Sequence, residues 1–263
     1  MGMLLLAGCA EGDTQDPGGQ ADSPAEDETT AEDSTEQADT EVTEDSEEPK
    51  STAEQSPESE AEPASEASWD PESIHVLVNR ANPLDPIDFV PSDLAVADAP
   101  NEFGDPELRE EPAETLEELF AAAEADGIQL WVTTAYRDFE FQQALYDQYV
   151  ADQGEEAADR FSARPGYSEH QTGLAVDVAD LEDRDCYLRA CFGETEAGQW
   201  VAENAPEFGF IIRYPEGAEE IVGFQYEPWH LRYVGVETAV EVTEQGLTLE
   251  EYWDQPPAPD YLD

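Results

Sequence analysis

The chain has 263 residues and carries 66 acidic side chains against ten lysines and arginines, which gives a formal net charge of −56 at pH 7. Nucleic acids and anionic lipid surfaces repel so acidic a protein, which excludes both as electrostatically held partners. The only lysine is Lys50, and the other basic residues are nine arginines. We interpret the acidity as an adaptation to high salt, where screening weakens self-repulsion, with a basic partner chain as the alternative.

The first nine residues form a short apolar segment that ends in Leu6-Ala7-Gly8-Cys9. This ending resembles the site at which bacterial lipoproteins are cleaved and lipidated on cysteine. The apolar run is too short to span a membrane, and it lacks the positive charges that begin a secretory signal. We therefore predict that residues 1–9 are the remnant of a longer signal peptide and that Cys9 is lipidated. The alternative is a cysteine that stands there by chance.

Residues 10–69 contain almost no large apolar side chain and are rich in Glu, Asp, Ser, Thr, Ala and Pro. Such a segment buries too little apolar surface to offset the entropy of ordering it, so we predict a long, disordered and extended acidic tether. Aromatic residues begin at Trp69. The remaining residues 70–263 are numerous enough to form a folded domain with its own core.

Apolar residues recur at intervals of three and four over residues 112–126, which predicts a helix, and Gly127 suits its C-terminal cap. Residues 128–134 read as a strand. Asp138 is placed to cap a second helix over residues 139–152. We expect the apolar stripe of this helix to pack in the core, and it consists of Phe141, Leu145, Tyr146 and Tyr149.

Two of the three histidines lie in short motifs beside carboxylates. Apolar residues alternate with Asp177 over residues 173–178, so a strand there presents Asp177 on its polar face, with His170 in the loop before it. His230 lies on the polar face of a later strand. Two imidazoles and one carboxylate suit zinc, so we predict that His170, Asp177 and His230 bind one zinc ion. Glu227 is near enough to act on a water at the ion as a general base.

The rest of the chain predicts an α+β domain, in which a small antiparallel sheet carries the zinc site and helices flank it. The third histidine, His75, is expected to be structural. The further elements are a helix over residues 195–204, strands over 210–214, 221–226 and 229–234, and a helical C-terminal part over 237–253 with a break at Gly246.

Cys186 and Cys191 are separated by four residues within a loop-like segment. In a protein outside the cytoplasm, such a pair is expected to form a disulfide that closes a small surface loop. A second metal site is the alternative, although no further Cys or His lies near them in the sequence.

The two metal motifs read Ser-Glu-His-Gln-Thr-Gly-Leu-Ala-Val-Asp, ending at Asp177, and Glu-Pro-Trp-His, ending at His230. Together with Thr-Thr-Ala-Tyr-Arg ending at Arg137, they resemble the VanY-type D-alanyl-D-alanine carboxypeptidases, zinc peptidases that trim the peptide stems of bacterial cell wall. The resemblance covers about residues 74–253. It implies that Arg137 binds negative charge on the substrate near the reacting carbonyl. Our further candidates for substrate binding are Ser168, Gln143, Trp229 and Arg213.

The resemblance implies a carboxypeptidase that releases the terminal D-alanine from peptidoglycan stem peptides, and we predict that it is a monomer. A carboxypeptidase that cuts an L,D-linked D-alanine is a close alternative. The alternative from a different class is a zinc-containing lipoprotein that binds the cell wall without turnover, although the presence of Glu227 argues against it. A lipid on Cys9 would hold the protein at the outer face of the cell membrane.

Overall fold

A computed structural model describes residues 66–101 and 103–262. The prediction for Cys9 and most of the predicted tether lie outside the described residues. The strands are β1 (Leu94–Val96), β2 (Glu107–Arg109), β3 (Leu130–Thr134), β4 (Ala175–Asp180), β5 (Phe210–Tyr214) and β6 (Glu227–Tyr233). The helices are α1 (Glu110–Ala125), α2 (Phe139–Gln153), α3 (Glu155–Ala158), α4 (Glu196–Asn204), α5 (Glu219–Val222), α6 (Val236–Gln245) and α7 (Leu249–Tyr252).

Four strands form the central antiparallel sheet, in the order β3, β4, β6, β5. The period-two pattern of the sequence decides which face each side chain takes: Val176 and Leu231 join the main apolar core, whereas Asp177 and His230 lie opposite each other on the other face. β1 and β2 form a separate antiparallel pair. The predicted α+β class, with a small antiparallel sheet flanked by helices, is confirmed.

Helix α1 begins two residues before the predicted range and ends one residue before its end. Its buried face includes Leu116, Leu119 and Phe120, and Gly127 follows it with a φ of +86°, which a residue without Cβ adopts at little cost. Helix α4 also lies where it was predicted, with the Thr195 side chain accepting a hydrogen bond from the backbone of Gly198. These helices follow their local sequence signals closely.

Helix α2 has the predicted cap, since the Asp138 carboxylate accepts a hydrogen bond from the backbone N–H of Phe141. Its expected apolar stripe does not pack as a core face. Phe141 is 58% exposed, and the only buried residues of the helix are Gln142 and Tyr146. Of the four stripe residues, only Tyr146 is buried as predicted, because this side of α2 borders open cavities, with Leu145 among their lining residues.

The predicted strand over residues 221–226 is also wrong, since the short helix α5 ends there at Val222. Gly223 follows with a φ of +87°, and a Cβ at this position would lie 2.8 Å from the carbonyl oxygen of Ala258. The C-terminal tail contributes to this conformation, because Ala258 donates a backbone hydrogen bond to Ile221. The adjacent β-branched residues Ile221 and Val222 favour a strand locally, but the contact with the distant Ala258 stabilises the helical turn.

The C-terminal part is helical with a break at Gly246, as predicted. Thr248 and Glu251 form a capping box that begins α7. Leu249 and Trp253 then pack in a second, smaller apolar cluster with Val234 and Val242. Within the described part of the chain, no helix has the length and apolar character needed to cross a membrane.

Candidate metal centre

The structure brings the three predicted metal ligands together. His170, Asp177 and His230 are buried, and one potential ligand atom of each lies within 4.8 Å of the other two. Asp177 and His230 are direct partners in the pairing of β4 with β6, where side chains of opposite residues lie close together on one face. His170 joins them from the 3-10 turn Glu169–Thr172, which leads into β4.

Hydrogen bonds determine which nitrogen of each imidazole is available. His170 Nδ1 lies 2.7 Å from the carbonyl oxygen of Ala135, which can only accept, so Nδ1 carries the hydrogen and Nε2 faces Asp177 Oδ2 at 3.3 Å. His230 presents Nδ1 to Asp177 Oδ1 at 3.0 Å and Nε2 to Glu169 Oε2 at 3.5 Å. Two imidazole nitrogens and one carboxylate therefore converge, a donor set that suits a tetrahedral ion with one open position.

The electrostatics of the three ligands favour a cation. Burial, followed by the charge of Arg137, lowers the pKa of His170 to about 4, so its imidazole is neutral near pH 7. Burial opposes ionisation of Asp177, but its interactions with both histidines lower its pKa. Burial also disfavours a charged His230, yet hydrogen bonds to Asp177 and Glu169 raise its pKa to about 9. A metal ion has to displace that proton, which couples its binding to pH.

Glu227 begins β6 and lines the same cavity as the three ligands. Its side chain is buried, and burial raises its pKa to about 8, against the opposing charge of His230. A carboxyl group whose pKa lies near neutral pH can take up a proton and release it again. This is the property required of the general base predicted at this position.

A cavity of about 230 Å³ opens over the ligands. Arg137, Ser168 and Trp229 line it, as expected for residues that contact a substrate. The Nε of Arg137 is buried and has no hydrogen-bond partner among the described residues, so this N–H is available to a ligand. Burial lowers the pKa of Arg137, while the charges of Asp177 and Glu227 act in the opposite direction.

The two other candidates for substrate binding do not line the cavity. Gln143 lies on the outer side of α2, where its amide donates to the Asp147 carboxylate at 2.8 Å. The guanidinium of Arg213 is buried and pairs with Glu169 and Glu250. Each side chain is bonded to a neighbouring carboxylate, and a substrate contact for either residue stays a prediction.

Sequence reasoning missed several residues of the cavity wall. Tyr214 pairs with Glu227 in the sheet, and its ring lies 4.8 Å from that of His230. The predicted disulfide between Cys186 and Cys191 is confirmed. The loop that it closes contributes Leu188 to the cavity wall. The φ of Leu188 is +48°, which is unusual for a leucine. Tyr214 directly follows Arg213, which we predicted to bind substrate, so a nearby signal existed for Tyr214. No local pattern in the sequence indicates Leu188.

Comparisons with known proteins agree with this site. The family model described as VanY, D-alanyl-D-alanine carboxypeptidase, matches residues 105–236. A relative described as the putative carboxypeptidase YodJ of Bacillus subtilis (strain 168) is 41% identical over 190 residues, which cover 71% of this chain and 69% of the relative. It is thus similar over about two thirds of each chain.

Two solved structures extend the similarity to the fold. The LdcB LD-carboxypeptidase has 41% sequence identity and a TM-score of 0.66, with 71% of this chain and 88% of that chain covered. A mutant of the vancomycin resistance D,D-pentapeptidase VanY, in complex with Zn(II), has 37% identity and a TM-score of 0.58, with 70% and 99% covered. Since the family model matches half of the sequence, and relatives of this identity match most of the described domain, this chain belongs to the VanY D-alanyl-D-alanine carboxypeptidase family.

Proposed function

We propose that this chain is a zinc-dependent carboxypeptidase that releases the terminal D-alanine from peptidoglycan stem peptides. The observation that carries the proposal is the single cavity that contains a two-histidine, one-carboxylate donor set together with Glu227 and Arg137. A solved relative in complex with Zn(II) supports the choice of metal. His170, Asp177 and His230 would hold one zinc ion, which when bound supplies a Lewis acid for the scissile carbonyl and lowers the pKa of water.

The protein's own residues supply the proton transfers. Glu227 takes a proton from the attacking water and returns it to the amine of the leaving D-alanine, a role that its place in the same cavity as the three ligands allows.

Arg137 is the group that recognises negative charge. A peptide that ends in D-alanine has a free carboxylate beside the scissile bond, and a guanidinium binds a carboxylate through two parallel hydrogen bonds. The unpartnered Nε of Arg137 is available for one of them. Ser168 and Trp229 line the same cavity and are proposed to contact the peptide.

The specificity is proposed as D,D, after the description of the matching family. The alternative is an L,D-carboxypeptidase, and the similarity to the LdcB LD-carboxypeptidase at a TM-score of 0.66 favours it. A cell-wall-binding protein without turnover is the third possibility. We further propose that the enzyme acts as a monomer outside the cytoplasm and that a lipid on Cys9 attaches it to the outer face of the membrane.

The test is to incubate the full chain with two stem peptides, a pentapeptide that ends in D-Ala-D-Ala and a tetrapeptide that ends in a single D-alanine. Release of D-alanine that a chelator abolishes, and that zinc restores, supports the proposal, and the peptide that is cut identifies the subtype. Glu227→Ala should lose turnover by orders of magnitude while it retains zinc, whereas Glu220→Ala, an exposed acid on α5, should leave turnover unchanged. Bound zinc without release from either peptide would favour the binding protein.

A further inference from the structure

Glu169 follows Ser168 and directly precedes the ligand His170, but its side chain points into the protein interior. It is 1% exposed, and its Oε1 accepts hydrogen bonds from Arg213 Nε at 2.8 Å and Arg232 Nη1 at 2.7 Å. Two guanidinium groups therefore fix this carboxylate in one orientation. Both guanidinium groups are permanently charged, so they hold Glu169 as their carboxylate partner in two buried ion pairs.

The other oxygen of Glu169 faces a metal ligand. Oε2 lies 3.5 Å from Nε2 of His230, and both atoms are buried without any other hydrogen-bond partner among the residues that the structure describes. Buried polar atoms are almost always hydrogen-bonded. Two such atoms that face each other need a shift of only about 0.3 Å to reach hydrogen-bond distance.

We propose that Glu169 is a positioning residue for the metal centre, which holds the hydrogen of His230 on Nε2 and thereby leaves the lone pair of Nδ1 free for the metal. The inference rests on the metal site of the proposed function. An ionised carboxylate has no hydrogen to donate and can only accept, so the imidazole has to present N–H at Nε2, which selects this one tautomer. Partners of this kind orient metal-bound histidines and raise their basicity.

The carboxylate belongs to a wider buried network. Arg213 also donates to both oxygens of Glu250, at 3.0 and 2.7 Å, and Asn79 donates to Glu250 at 3.0 Å. Arg232 donates in addition to the backbone carbonyl of Val76 at 2.7 Å. The family model matches residues 105–236, whereas Val76 and Asn79 precede that range and Glu250 follows it. Residues outside the matched range therefore help to hold Glu169, and through it they would contribute to metal binding.

Glu169→Gln is the direct test, made in the full chain. The two arginines require the amide oxygen as their acceptor, so the amide NH₂ turns toward His230 Nε2 and favours the tautomer with hydrogen on Nδ1. We expect the zinc dissociation constant, measured by competition with a chromophoric chelator, to rise about tenfold to a hundredfold. Nitrogen-15 NMR of the imidazoles in the zinc-loaded wild type should show the hydrogen of His230 on Nε2.

Glu250→Gln is the matched control, because it removes one charge from the same network and one partner of Arg213 without a contact to His230. It should lower the unfolding midpoint as Glu169→Gln does and leave the zinc affinity unchanged. Equal zinc affinity in wild type and Glu169→Gln, or an equal loss in both variants, would overturn the inference. If Glu169→Gln does not fold, Glu169→Asp keeps the charge for the arginines but shortens the reach to His230, and the same measurements apply.

The readout does not require turnover. A wild-type chain that binds no zinc would contradict the proposed function itself. A wild-type chain that binds zinc, with a Glu169→Gln variant that binds it equally well, would contradict the role of Glu169 alone.

Discussion

Asp177 and His230 are separated by 53 residues in the chain, yet they are direct partners across β4 and β6, with Oδ1 3.0 Å from Nδ1. The register of the sheet therefore sets the distance between these two ligands. A slip of one residue would turn either ligand to the opposite face of the sheet, into the apolar core. Ligands on paired strands are held more precisely than ligands on loops, which suits a site that has to bind a metal in one geometry.

The metal-free protein should become less stable as pH rises, in part because of Glu227. Burial raises its pKa from 4.5 to about 8. Between these values the folded protein keeps a proton that the unfolded chain has released, so the free energy of unfolding falls with pH. Glu227→Gln removes this contribution. The free energy of unfolding of the variant, relative to that of wild type, should therefore increase by up to about 1.4 kcal/mol per pH unit from pH 4.5 to 8.

Urea unfolding of both chelator-treated proteins at several pH values measures this difference. The other buried groups titrate in both proteins, so the comparison reports Glu227 together with its coupling to His230 and Arg137. A difference in stability that stays constant between pH 4.5 and 8 would contradict the raised pKa.

Arg137→Lys should impair catalysis although it keeps the positive charge. An ammonium group lacks the planar fork that binds a carboxylate through two hydrogen bonds. We expect kcat/KM to fall about tenfold to a hundredfold, equivalent to one hydrogen bond to a charged group. Arg160→Lys, at an exposed position outside the cavity, is the control and should leave kcat/KM unchanged. An Arg137→Lys enzyme with wild-type kinetics would exclude two-point recognition.

Leu188 should contribute to substrate binding without a part in the chemistry. It lines the cavity from the loop between Cys186 and Cys191, in the left-handed conformation that glycine adopts easily. Leu188→Gly keeps this conformation accessible and removes the side chain. We expect KM to rise by up to about tenfold with kcat unchanged, since only uniform binding is lost.

Steady-state kinetics with a stem peptide provide both constants for Leu188→Gly. Leu181→Gly is the control, because Leu181 is similarly exposed but does not line the cavity. A fall in kcat at constant KM would instead place Leu188 in the reacting geometry.

Molar salt should stabilise the protein. At a net charge of −56, repulsion between carboxylates opposes folding, and screening reduces it. The thermal unfolding midpoint in KCl should rise and then level off near 1 M, where the Debye length is about 3 Å. A midpoint that is unchanged or lower in molar salt would contradict adaptation to a saline environment.

The metal ligands could be predicted from the sequence because their signals are local. The alternation of apolar residues around Asp177 fixes its face on the strand, and two of only three histidines stand in motifs with carboxylates. Helix α1 was predicted nearly to its ends for the same reason, since its spacing, its acidic first turn and Gly127 all lie within a short stretch.

The rest depends on contacts between distant parts of the chain. The sequence singles out Arg213 but not its ion pair with Glu250, which lies 37 residues away on a helix whose position no local pattern gives. The strand expected over residues 221–226 failed because the tail at Ala258 contacts α5. Glu169 stands inside the recognised motif, yet its role depends on two arginines that only the folded sheet brings to it.

The exposed side of α2 has a consequence for local stability. Only Gln142 and Tyr146 of this 15-residue helix are buried. The free energy of local opening of α2 should therefore be lower than that of the strands of the sheet. Its amides should then exchange with solvent earlier than those of β4 and β6. A peptide that fills the cavity beside Leu145 and Tyr149 would supply the missing apolar contacts and slow this exchange. The ordering of α2 would then offset part of the favourable free energy of peptide binding.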